Sequence, residues 1–260
     1  MKLLADVGNS NTVFGIGNSE KILKHWNVST KHFETEDELF ILLRNLLADT
    51  SFNLDDIECF CVASVVPSLE RVLNVFGRKY LNLDPVMVAP DESAGFYCHT
   101  KSIEQIGADR IANTIAATDI YGKNSIVVDL GTATTIDVVE NGVFLGGAIL
   151  PGLRMSMKSL FTGTSKLPQV DLHFVESQIG RDTADNIRIG IVNANYFAIS
   201  GIIDEIKKER GIVYKVIGSG GFVDILNKGK LFDFVDKDLT LKGIALYGER
   251  VKNIEKNSTG

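Results

Sequence analysis

This chain has few of the residues that cross-link, stiffen or anchor a protein. Its 260 residues include three cysteines, five prolines and one tryptophan. Cys59, Cys61 and Cys98 lack metal-ligand spacing, and an odd count argues for reduced thiols rather than a disulfide framework. The four histidines, His25, His32, His99 and His173, form no ligand pattern either, so zinc is not expected. No window approaches the roughly 18 uninterrupted apolar residues of a membrane span, and Asp6 cuts the N-terminal apolar stretch too early for a signal peptide. No cluster of Lys and Arg offsets the net charge of −6, which argues against nonspecific binding to nucleic acid or anionic membranes. There is no Gly-x-x-x-x-Gly-Lys-Ser/Thr loop. Gly15-Ile16-Gly17 also fails as a dinucleotide fingerprint, because Glu20 stands where the third glycine belongs. What remains is the composition of a cytoplasmic globular protein, 45% hydrophobic and 23% charged.

Against those absences one pattern stands out, and it occurs twice. Asp6-Val7-Gly8-Asn9-Ser10-Asn11-Thr12 follows the apolar run Lys2-Leu3-Leu4-Ala5. Asp129-Leu130-Gly131-Thr132-Ala133-Thr134-Thr135 follows Ser125-Ile126-Val127-Val128. Asp6 corresponds to Asp129, Gly8 to Gly131 and Thr12 to Thr135. Glycine lets backbone amides approach an anion closely, and amides and hydroxyls donate to phosphate oxygens. A neighbouring aspartate can hold a magnesium ion or its waters. The plain alternative is a pair of hairpin turns, where Asp, Gly, Asn and Ser are ordinary. Two copies, each opening a half of the chain, favour phosphate binding.

In each half three strands come first and strand-helix alternation follows. In the first half, strands are expected over 2–7, from Val13, and over 22–28. Thr35-Glu36-Asp37-Glu38 is a capping box opening a helix whose apolar face includes Leu39, Leu42, Leu43, Leu46 and Leu47. In the second half, Asn141-Gly142 marks a two-residue hairpin, a long helix spans 184–209, and the last helix starts near Leu239. This arrangement predicts an α/β protein of two similar domains, 1–115 and 116–260, each a mixed sheet covered by helices.

The motifs above, with Gly107-Ala108-Asp109-Arg110, Gly146-Gly147-Ala148-Ile149-Leu150-Pro151-Gly152 and Gly218-Ser219-Gly220-Gly221, resemble those of the type III pantothenate kinases, in the family's order and across the chain. The resemblance implies the actin-like ATPase fold of the actin, hexokinase and Hsp70-like superfamily, with two ribonuclease H-like domains and five-stranded mixed sheets. It implies transfer of the γ-phosphoryl group of ATP to pantothenate, a need for Mg2+ and a monovalent cation (K+ or NH4+), and a homodimer. It assigns ATP contacts to Asp6, Val7, Gly8, Asn9, Ser10, Asn11, Thr12, Val13, Thr132, Gly218, Gly220 and Gly221. Pantothenate contacts fall to Gly107, Ala108, Asp109, Arg110 and Thr183, and the monovalent cation to Asp129. Many members carry a tyrosine shortly before Gly107. Thr100 is the best-aligned residue here, with Tyr97 nearby, and that contact is left unassigned.

Each role has a structural alternative. Asp6 either holds magnesium, directly or through water, or closes an Asx turn. Asp109 is the expected general base, or else a plain helix cap. Arg110 clamps a carboxylate or phosphate with its planar fork, or forms a structural salt bridge. Thr183 touches substrate, or caps the long helix. The glycines at 218–221 wall the adenosine side, or simply make a tight turn.

Overall fold

The computed structural model describes residues 1–227 and 230–258. The chain forms two compact units, Met1–Asp119 with Asp238–Gly260, and Ile120–Lys237.

The first unit is built on a sheet in the order β3-β2-β1-β4-β5. Strands β1 (Lys2–Val7), β2 (Asn11–Gly17) and β3 (Ile22–Ser29) form an antiparallel meander. β4 (Cys59–Ser64) runs parallel to β1, and β5 (Val86–Met87) parallel to β4. Leu3, Leu4, Ala5 and Val7 are all buried, as a strand covered on both faces requires. Cys59 and Cys61 are free thiols with their sulfurs 3.3 Å apart on one face of β4. Helix α1 (Glu36–Leu47) begins at the expected capping box: the Thr35 hydroxyl accepts from the Glu38 amide, and the Glu38 carboxylate accepts from the Thr35 amide. Pro67 opens α2 (Pro67–Phe76). The core gathers Phe14, Phe33, Leu39, Leu43, Phe60, Leu73 and Phe76. The short strand β6 (Tyr97–Cys98) precedes α3 (Ala108–Ala116).

The second unit repeats the plan. β7 (Ser125–Leu130), β8 (Ala133–Glu140) and β9 (Val143–Pro151) form the meander. Asn141 and Gly142 turn between β8 and β9 with φ of 53° and 82°, the left-handed pair that a two-residue hairpin demands. Helices α4 (Leu153–Gly163), α5 (Thr183–Arg188) and α6 (Ala194–Arg210) follow. A π-helical turn at Ile189–Asn193 joins α5 to α6, so the expected long helix is continuous but widened at one turn. That turn buries Asn193, whose amide group donates to the Val175 carbonyl and accepts from the Val175 amide. β10 (Lys215–Ser219) runs parallel to β7, α7 (Val223–Leu226) follows, and β11 (Phe234–Val235) runs parallel to β10. Within this unit the order is β11-β10-β7-β8-β9, the order of the first unit, but the second sheet has six strands where five were expected.

One boundary differs from expectation. A division at 115/116 assigns the last helix, α8 (Leu239–Ser258), to the second domain, but it packs in the first unit. The reason is shape. A Cβ on Gly243 would lie 2.0 Å from the Ala112 carbonyl oxygen of α3, and one on Gly248 would lie 2.2 Å from the Cys61 sulfur of β4. Two glycines let the helix approach closely, and Thr240 donates to the Asn113 side chain at 2.8 Å.

Candidate active site

The first turn leaves β1 at its carboxyl end. The Gly8 amide donates to the Asn11 carbonyl at 3.0 Å, and a Cβ on Gly8 would stand 2.9 Å from that same oxygen. Glycine is therefore required for so tight a closure. Asn9, Ser10 and Asn11 are exposed, while Val7 and Thr12 are fully buried beneath them. Asp6 is half-buried and pairs with Val13 across the ladder.

The second turn leaves β7 in the same way. The Gly131 amide donates to the Ala133 carbonyl at 3.1 Å. Asp129 is half-buried and Thr132 exposed. The register refines the repeat. Val7 faces Thr12 in the first copy and Leu130 faces Thr134 in the second, so Thr12 is equivalent to Thr134 rather than Thr135. The second turn is one residue shorter, and both threonines are fully buried.

β10 brings the glycine segment beside Asp129, with Ser219 paired to it. Gly220 has a φ of 86°, and a Cβ there would lie 2.5 Å from the Asp129 carboxylate oxygen. Gly221 is exposed with open space at its Cβ position. Gly218 differs. It is buried, and a Cβ would strike the Phe232 ring at 2.5 Å, so packing alone accounts for that glycine.

Asp109 sits in the first turn of α3 and accepts from the Arg110 amide at 2.8 Å. Gly107 precedes it as the helix cap residue, with room for no side chain: a Cβ would meet the Asp109 carboxylate at 2.4 Å and the Val65 side chain at 3.3 Å. Val65 follows directly on β4, and its amide donates to the Val7 carbonyl. The edge of the first sheet that carries Asp6 and its turn therefore also carries Val65, against which the start of α3 rests. Burial pushes the Asp109 carboxyl above its ordinary value, while the amide and charge of Arg110 pull the other way. Ala108 is buried and Arg110 half-buried.

Thr183 lies in the second unit as the first residue of α5, with an exposed side chain. It is not the cap. Asp182 fills that role, its carboxylate accepting from the Asp185 amide at 2.8 Å, which leaves the Thr183 hydroxyl outside the capping bond. Sequence reasoning missed Thr30, whose hydroxyl donates to the Gly8 carbonyl at 2.7 Å. A threonine just past an edge strand carries no local signal of that contact. Among the described residues no three or more His, Cys, Asp or Glu side chains gather as a metal cluster. A cation at Asp6 or Asp129 would therefore take its other ligands from backbone, water or phosphate oxygens.

A family model for type III pantothenate kinase matches residues 2–205. A type III pantothenate kinase of Kosmotoga olearia is 53% identical over 261 residues, covering 100% of each chain. Another, of Petrotoga mobilis, is 39% identical over 256 residues, covering 98% of this chain and 100% of its own. Among solved structures, a conserved Baf-family protein of Campylobacter jejuni aligns with a TM-score of 0.61 at 21% identity, over 98% of this chain and 99% of that one. A ROK hexokinase of Thermus thermophilus aligns at 0.53 with 12% identity, over 97% and 99%. Identities this low speak for the fold alone, which is that of the actin-like ATPases and sugar kinases.

Proposed function

The chain belongs to the type III pantothenate kinase family, and from that premise we propose how its own residues carry the family's reaction. That reaction moves the γ-phosphoryl group of ATP to pantothenate, giving 4'-phosphopantothenate, the first step towards coenzyme A. The same Asp-x-Gly turn ends the first strand of two sheets that share a five-strand order, and this recurrence carries the assignment of both turns to phosphate.

The amides and side chains of Gly8, Asn9, Ser10 and Asn11 hold the terminal phosphates, with Val7, Thr12 and Val13 fixing the strands that bear the turn. Thr132 meets the phosphates from the second turn. Gly220 and Gly221 line the adenosine side, with Gly218 as the packed base of that wall. Phosphoryl transfer needs alignment and charge neutralisation more than covalent chemistry. Asp6 suits magnesium, which typically takes one or two carboxylates plus phosphate oxygens; bound there, the ion supplies positive charge to the transferring group. Asp129 suits a monovalent cation, because its carboxylate ends an apolar strand and faces the backbone of Gly220, where any side chain would fill the space. An ion there offsets the cost of a half-buried carboxylate.

Asp109 is the base. It takes the proton of the primary hydroxyl of pantothenate as that oxygen bonds to the γ-phosphorus and the bridging oxygen departs with ADP. Its raised pKa makes it the stronger proton acceptor. Arg110 pairs with the pantothenate carboxylate, Gly107 and Ala108 shape the approach, and Thr183 offers its free-facing hydroxyl to substrate. The two halves are copies of one domain, with α8 lent to the first, and the working enzyme is a homodimer. A coupled ADP-release assay tests the whole reading. ADP should appear only with pantothenate present and faster with potassium; release independent of pantothenate would overturn it.

A further inference from the structure

The turn that grips the phosphates cannot fix its own shape. Asn9, Ser10 and Asn11 are exposed, and the turn is closed by a backbone bond from the Gly8 amide to the Asn11 carbonyl. Thr30 supplies the rest. Its hydroxyl donates to the Gly8 carbonyl at 2.7 Å and lies 3.0 Å from the Thr12 hydroxyl, and its amide donates to the Ser10 carbonyl at 3.1 Å. One residue thus touches the start, middle and end of the turn. Thr30 is itself held, being buried in a short 3-10 turn, Thr30–His32, that follows β3. Just beyond it Phe33 is fully buried against Phe14 of β2, ring centroids 5.8 Å apart.

The second unit solves the same problem at the same place with different chemistry. Thr30 is the first residue after the third strand of its meander, and Gly152 is the first after β9. A Cβ on Gly152 would lie 2.2 Å from the Thr132 carbonyl oxygen and 2.7 Å from that of Gly131. There the backbone itself presses on the turn. Among the described residues, the Thr134 hydroxyl, equivalent to that of Thr12, finds no hydrogen-bond partner.

We propose that Thr30 is a positioning residue for ATP: through its hydroxyl it sets the conformation in which Gly8 to Asn11 receive the phosphates. This rests on the assignment of that turn to phosphate. Thr30→Val keeps the shape but leaves the Gly8 carbonyl and the Thr12 hydroxyl without their partner. Losing such a buried bond typically shifts an equilibrium about tenfold. The expected result is a KM for ATP raised about tenfold while the KM for pantothenate stays within about twofold, and Thr30→Ser restores the ATP value. A Thr30→Val enzyme with normal ATP KM, or a Thr30→Ser enzyme as impaired as Thr30→Val, overturns the proposal. A role confined to stability would lower the melting temperature and leave the ATP KM alone. If Thr30→Val does not fold, Thr30→Cys, with its weak donor, should show the same split to a smaller degree; an unchanged ATP KM there overturns the proposal too. Asp6→Ala run alongside separates the two layers. If it raises the ATP KM and Thr30→Val does not, only the role of Thr30 fails; if neither does, the phosphate assignment of the turn fails with it.

Discussion

Asp109 combines two demands that pull against each other. A base must be ionised at working pH, yet burial favours its neutral form. The Arg110 amide and charge hold the balance, and the carboxyl still sits above its ordinary value. The sign of the pH effect follows. Protonation removes the acceptor, so kcat should fall as pH drops through this pKa, and the fall should begin at higher pH than an exposed aspartate would give. Asp109→Asn should lower kcat on the order of a hundredfold or more, with the ATP KM little changed. A pH-rate profile of both proteins checks this; a variant within a few-fold of normal turnover removes Asp109 from the role. At this scale the sequence was readable where the chemistry is local. Gly8 and Gly220 were readable as tight-turn glycines by type and spacing, and a Cβ at either would meet close neighbours. Gly218 was not readable, since its reason, the Phe232 ring, lies fourteen positions ahead. Nor could spacing tell Asp182 from Thr183 as the cap: both are good cap residues, and only the Asp185 amide decides.

Among the elements, the helices begin where short-range signals say and rest where long-range packing says. The capping box of α1 and the hairpin at Asn141-Gly142 are complete within a few residues, so both were legible. The π turn at Ile189–Asn193 was not, because the contacts of its buried Asn193, with the backbone of Val175, reach 18 positions back along the chain. The placement of α8 was hidden for the same reason. Its glycines look like helix weaknesses in the sequence, and only the Ala112 carbonyl explains Gly243. Two substitutions separate these cases. Gly243→Ala should destabilise the protein by about 1–3 kcal/mol, the usual cost of forcing atoms into a packed contact. Gly201→Ala, inside α6 with open space at its Cβ position, should stabilise by about 0.5–1 kcal/mol. Urea unfolding of both variants measures the difference, and equal shifts in one direction would contradict the packing assigned to α8.

For the molecule as a whole, the duplication in the sequence is a duplication of topology: five strands of each mixed sheet follow the same order, and the second sheet has a sixth. On the assignment proposed above, Asp6 would serve a divalent ion and Asp129 a monovalent one. Potassium or ammonium should therefore raise the rate far more than sodium at constant ionic strength. Asp129→Asn should lose most of that response while the protein stays folded by circular dichroism. An equal potassium response in both proteins would put the ion elsewhere.

The route of the chain has a consequence for how the protein is made. The second unit is one unbroken stretch, Ile120–Lys237, whereas the first is closed only by residues from Asp238 onward. A ribosome delivers the N-terminus first. The half that emerges earliest must therefore wait, its sheet bare where α8 will lie, until Leu239–Ser258 have left the exit tunnel. The half synthesised later can finish before it. Completion of the first unit thus follows synthesis of the whole second unit, although its own sheet comes first in the chain.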